Sequence, residues 1–207
     1  MMKSLTSLSL AALVGLTAAA ASATDFEIST SPLSTASYTS DADLETISGT
    51  SVQVSGTIAT DLKDPSKTSG TISIPVTSLL SGVPMRDEHM AGKDWLNAAE
   101  FPNITFAIKS LALKGDNKAL TAGSSVQADA TGEFTLHGVT KTITIPVRAS
   151  YRELPAGQVY GLEGNILRIE TTFGIKLSDY GVNIPAPLTA KVANELTLTV
   201  KATAKQK

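Results

Sequence analysis

The 207-residue chain contains no cysteine. That absence excludes disulfide scaffolds, thiolate zinc sites, iron–sulfur clusters, c-type haem attachment and a cysteine nucleophile. Only two histidines are present, His89 and His137, so a multi-histidine metal site has too few ligands. Neither sign of charge dominates: 17 Lys and Arg stand against 19 Asp and Glu. There is no basic footprint for nucleic acid and no polybasic membrane anchor. No apolar run beyond the N-terminal segment approaches the length of a membrane span. With 42% hydrophobic and 17% charged residues, the chain can nevertheless bury a core. Serine and threonine number 48, and threonine favours strands, so the composition leans to all-β.

The first 23 residues have the pattern of an export signal. Lys3 gives a positive start, Leu5 to Leu16 is mostly apolar or small, and Ala21-Ser22-Ala23 forms an A-x-A cleavage site. Cleavage after Ala23 would start the exported chain at Thr24, giving two expected segments: a signal peptide over 1–23 and one domain over 24–207. The expected location is the bacterial periplasm, without a stable membrane anchor.

Period-two alternation then recurs. It runs through Val52, Val54 and Ile58, through Ile72, Ile74 and Val76 after a turn region at Gly70, and through Ile104, Phe106 and Ile108. It returns at Gly132, Phe134 and Leu136, at Ile143 to Tyr151, at Ile169 to Ile175, and at Leu196 to Val200. Turn residues separate the runs at Asp64-Pro65, Gly115 to Asn117, His137-Gly138, Pro155 to Gly157 and Asp179 to Gly181. About eight antiparallel strands fit this spacing. Met85 to Glu100 breaks the alternation; it predicts one or two helical turns near residues 86–100, ended by Phe101-Pro102. The polar tail Lys201 to Lys207 is expected to fray. Such strands can form a two-sheet sandwich or close into a barrel, and periodicity alone leaves both open.

No motif specifies a reaction. There is no G-x-S-x-G elbow, no G-x-G-x-x-G, no P-loop and no EF-hand spacing. Arg86, Asp87, Glu88 and His89 form the densest polar cluster, but adjacent helical residues point in different directions. A solvated helix start accounts for them better than an acid–base site. His137, in a tight turn, is better read as bonded to backbone than as a metal ligand. The apolar faces remain, and a core accounts for any single residue on them.

The residues from Met85 to Phe106, MRDEHMAGKDWLNAAEFPNITF, resemble the signature of the YceI family. There an R-D-x-H segment precedes a W/F-L-D/N-A stretch and then Y/F-P-x-I-T-F. Gly132 to Lys141, GEFTLHGVTK, resembles the family's G-x-L-T-x-H-G-V-T-K turn. The resemblance runs from about Phe26 to Ala204. It departs at Ser37-Tyr38-Thr39-Ser40, where family members usually carry a histidine-containing strand.

The resemblance implies an extended lipocalin-like antiparallel β-barrel of about eight strands, exported, holding a long isoprenoid or other lipid. On this reading the ligand-binding candidates are Phe106, Phe134, Ile143, Ile145, Ile169 and Phe173, on the alternating faces. Arg86, Asp87 and His89 are candidates for polar or mouth contacts or for bracing the insertion. The expected partner is an apolar small molecule, with no nucleic acid, metal or further cofactor and no catalysis. A filled sandwich serving as an interaction module, and an enzyme acting on a lipid-like substrate through His89, are the competing readings.

Overall fold

The computed structural model describes residues 23–159 and 162–207. The signal segment lies outside the described residues except for Ala23. Ten strands build the fold: β1 (Thr24–Ile28), β2 (Thr35–Asp41), β3 (Thr46–Ser51), β4 (Ser55–Thr60), β5 (Ser69–Pro75), β6 (Asn103–Lys114), β7 (Ser125–Leu136), β8 (Val139–Val159), β9 (Leu162–Lys176) and β10 (Glu195–Gln206). One α-helix, α1 (Pro84–Ala91), interrupts them.

All ten strands share one antiparallel sheet in the order β1-β4-β5-β6-β7-β8-β9-β10-β2-β3, and β1 also pairs with β10. The contacts Phe26 to Gln206 and Glu27 to Lys205 close the ring. Strands β1 and β2 lie one after the other along the same edge of β10. β4 pairs with β1 and β3 with β2, so ten segments fill eight wall positions. The molecule is an eight-stranded closed barrel. Closure pairs the edges that a two-sheet sandwich would leave open, and the sandwich alternative falls.

The strands form where alternation places apolar side chains inward. In β7 every second residue from Val126 to Leu136 is buried. The β7–β8 hairpin turns on His137 and Gly138, with φ 51° and 74°. Positive φ at both central residues is the two-residue turn that matches strand twist. Gly56 and Gly70, at φ 153° and 154°, allow β4 and β5 to approach. A Cβ on Gly70 would lie 2.2 Å from the Thr57 carbonyl oxygen. Gly70 is therefore a strand residue and not the turn its composition suggested.

Two further expectations change. The tail does not fray: β10 runs to Gln206, and Ala202 and Ala204 are fully buried. Its inward positions are small, so the alternation was hidden among lysines and threonines, while pairing with β9 and β1 holds the strand. Pro155 to Gly157 is not a free turn; β8 continues to Val159 with a register shift between Leu154 and Val159. The insertion forms the expected short helix, α1 over Pro84–Ala91; the chain leaves helical geometry at Gly92, and Asn97 has φ 46°.

Two apolar clusters fill the interior. One lies near the α1 end and contains Leu96, Phe134, Leu136, Leu177, Tyr180 and Val182. The other contains Phe26, Ile28, Ile58, Tyr151 and Ala204. Ile104, Ile108 and Leu198 pack against both.

Candidate ligand cavity

Between these clusters the barrel encloses a cavity. Its volume is about 80 Å³. The space is narrow and lined almost wholly by apolar side chains, which suits the hydrocarbon of a thin chain. Its wall comes from β4 to β10, and its far end from Pro65, Thr68 and Leu120.

The polar atoms of the wall are largely occupied. The Thr68 hydroxyl donates to the Pro65 carbonyl oxygen at 2.7 Å. With that proton committed, Thr68 accepts from Thr60 at 2.6 Å. Thr171 donates to the Pro146 carbonyl oxygen at 2.6 Å, which leaves its methyl group for the cavity. The interior behaves as a hydrocarbon surface, where burying apolar chain is favourable at about 25 cal/mol per Å².

Phe106, Phe134, Ile145, Ile169 and Phe173 line this cavity. Phe134 anchors its α1 side: its ring meets Phe173 edge-on at 5.8 Å and Tyr180 at 5.4 Å. Ile143 is only half-buried; it packs on the cluster at the α1 end and is not part of the lining. The register sets it opposite Gly132, one inward step from Ile145 towards the β7–β8 turn.

Arg86, Asp87 and His89 do not line the cavity either. They sit on α1, none of whose residues is buried. Arg86 reaches back to Glu45 at 2.5 Å, tying the helix to the β2–β3 hairpin. Asp87 accepts from the Ser81 backbone N–H at 2.8 Å and from its hydroxyl at 2.6 Å. These bonds, the side-chain one foremost, hold its carboxyl below the ordinary carboxylate range. His89 is exposed, and among the described residues no hydrogen bond joins it to Asp87 or Glu88. The cluster braces the insertion and does not converge on a reacting atom. His137 is engaged with backbone, its Nδ1 lying 3.1 Å from the Tyr180 carbonyl oxygen, while Phe101 meets its ring edge-on at 5.2 Å. Among the described residues no three His, Cys, Asp or Glu side chains are grouped to hold a metal ion.

Much of the remaining lining follows rows already visible as alternation, such as Val147 and Ala149 beyond Ile145. Pro65, Thr68 and Leu120 come from connecting segments and carry no periodic signal.

The YceI-like domain profile matches residues 18–204. The chain belongs to this family. Among its relatives, a UPF0312 protein of Pseudomonas fluorescens (strain SBW25) is 29% identical over 152 residues, covering 73% of this chain and 72% of its own. Protein YceI of Escherichia coli O157:H7 is 33% identical over 100 residues, about half of each chain (48% and 47%). The crystal structure of Burkholderia cenocepacia BcnA superposes with a TM-score of 0.66 at 24% identity, over 83% of this chain and 96% of that one. A polyisoprenoid binding domain from Saccharophagus degradans superposes with a TM-score of 0.64 at 14% identity, over 89% and 99%. At such identities the superpositions speak for the shared barrel.

Proposed function

We propose that this YceI-like barrel binds a long apolar molecule, an isoprenoid or other lipid chain, and carries, stores or sequesters it in the periplasm. The observation that carries this reading is the slim cavity between two apolar clusters, with the Thr60 and Thr68 hydroxyls bonded to protein. Support also comes from the fold shared with a domain described as binding polyisoprenoids. The N-terminal signal pattern supports export.

The energetics need no catalytic group. Burying about ten methylenes at about 0.8 kcal/mol each gives about 8 kcal/mol before ordering costs. That corresponds to roughly micromolar binding, and a longer chain offsets the losses. Binding without turnover accords with a polar cluster on α1 that braces the wall and with a cavity lined by no titratable side chain.

The test is solvent extraction of the protein purified from its native exported compartment, followed by mass spectrometry. One apolar chain-like species near equimolar amount is expected. It should be depleted in Ala149→Phe, which places a ring in the cavity. A clean extract from folded wild-type protein would overturn the reading.

A further inference from the structure

One buried polar atom stands out among the described residues. The Tyr38 hydroxyl, on an inward position of β2, is inaccessible to solvent and has no hydrogen-bond partner there. The residue as a whole is 8% exposed. Buried hydroxyls without partners are rare in folded proteins, and each calls for an explanation. Its neighbours in the same wall show the usual pattern. Ser51 bonds Ser78 at 2.7 Å, Ser40 accepts from the Ala193 N–H at 2.9 Å, and Ser34 accepts from the Thr203 N–H at 3.0 Å.

The ring has a built position. It lies over Gly49 of β3, where a Cβ would come within 2.4 Å of Tyr38 Cε1 and 2.8 Å of its hydroxyl. Only the missing side chain at 49 lets the phenol reach this far across the wall. In register, Phe173, Leu198, Tyr38 and Gly49 form one row across four strands. Phe173 lines the cavity, and Tyr38 shares a continuous core cluster with the cavity residues Ile74 and Ile169. Tyr38 is not itself a lining residue; its phenol stands in the same interior, two strands along the row from Phe173.

The charges acting on the phenol are those of Asp87 and Arg86. Arg86 is already paired with Glu45, and Asp87 is held ionised by Ser81. Two carboxylates to one guanidinium leave no positive field for a phosphate. Burial first, and Asp87 second, push the phenol above its ordinary value, so it stays a neutral donor.

Resting on the proposed apolar-ligand reading, we infer that Tyr38 seats the head group of the bound chain, donating a hydrogen bond to an uncharged oxygen, an alcohol or a carbonyl. The cavity takes the hydrocarbon and Tyr38 distinguishes a chain that ends in such an oxygen from one that does not. A polar site left unpaired by the wrong ligand is a strong basis for discrimination.

The experiment measures binding of geranylgeraniol, of the same chain lacking its hydroxyl, and of geranylgeranyl phosphate, to wild type and Tyr38→Phe. The wild-type preference for alcohol over hydrocarbon, divided by that of the variant, cancels differences in ligand solubility. A ratio of about tenfold or more is expected, with unchanged hydrocarbon binding and a melting temperature of the variant at or above wild type. Equal preferences in the two proteins would overturn the assignment of Tyr38 while leaving the apolar cavity standing. A wild-type preference for the phosphate that survives in Tyr38→Phe would also overturn it, pointing to a cation instead. Failure of all three probes with both proteins would remove the cavity reading itself, and the head-group seat with it.

Discussion

The barrel has two unlike walls. From β6 to β9 the strands are 12 to 21 residues long and pair along most of their length. From β1 to β5 they are 5 to 7 residues long, and β1 with β2 and β3 with β4 each share one broken wall position. The buried polar residues divide the same way: Ser34, Ser40, Ser51, Thr60, Thr68 and Ser78 belong to the broken wall, and Ser150 alone to the long one. A long strand with an apolar inward face specifies its own register, because a one-residue slip would turn every Ile and Phe outward. Short strands with small or polar inward residues lack that constraint. Here hydroxyl chains supply it: the Gln53 N–H donates to Ser51, Ser51 to Ser78, and Ser78 to the Pro75 carbonyl oxygen. The lining phenylalanines Phe106, Phe134 and Phe173 all come from the long wall, and the polar fastenings come from the other.

The largest effect should come from the long wall. Phe134→Ala removes a ring that is 4% exposed and contacts both Phe173 and Tyr180 edge-on. A loss of about 3–5 kcal/mol is expected from chemical denaturation, and less than about 1 kcal/mol would mean the α1-side cluster rearranges to fill the space. The broken wall should respond less and through polar atoms. Thr68→Val keeps shape but deprives Thr60 of its acceptor and leaves the Pro65 carbonyl only the backbone N–H of residue 68. The expected cost is about 1–3 kcal/mol, and an unchanged denaturation midpoint would show that the hydroxyl pair does not fasten this wall.

The same division decided what the sequence disclosed. The rows at Ile104 to Ile108, Ile143 to Ala149 and Ile169 to Ile175 alternate strongly because their inward residues are large and apolar. Phe106, Ile145, Ile169 and Phe173 of the cavity could be named from them, and Phe134 from the row at Gly132 to Leu136. In β2 the inward residues are Ala36, Tyr38 and Ser40, and in the last part of β10 they are Ala202 and Ala204. Small and hydroxyl-bearing side chains facing inward look the same as outward ones in a hydropathy pattern, so neither β2 nor the end of β10 carries a strand signal of its own. The partner of Asp87 was hidden for another reason: Ser81 meets it through a local loop that no periodicity encodes. The family resemblance supplied the choice of barrel over sandwich, which alternation left open.

The smallest expected effect concerns the helix that bridges the two walls. Asp87 is the fastening of α1 to the loop at Ser81, and its folded pKa lies below the ordinary 3.8. A carboxyl with a depressed folded pKa stabilises the folded state above its unfolded pKa, and that contribution is lost as pH falls through the folded value. Asp87 is only partly buried and solvent screens it, so the contribution is modest. Asp87→Asn should therefore be slightly less stable than wild type at neutral pH, with the gap shrinking to nothing in strong acid. Trp95, the single tryptophan and half-buried against the α1-end cluster, reports on the insertion by its fluorescence during denaturation. A gap of the same size at neutral and strongly acid pH would mean that the bonds to Ser81 owe nothing to the carboxylate charge. The fastening of α1 would then rest on Arg86 and Glu45, whose 2.5 Å contact joins the helix to the broken wall alone.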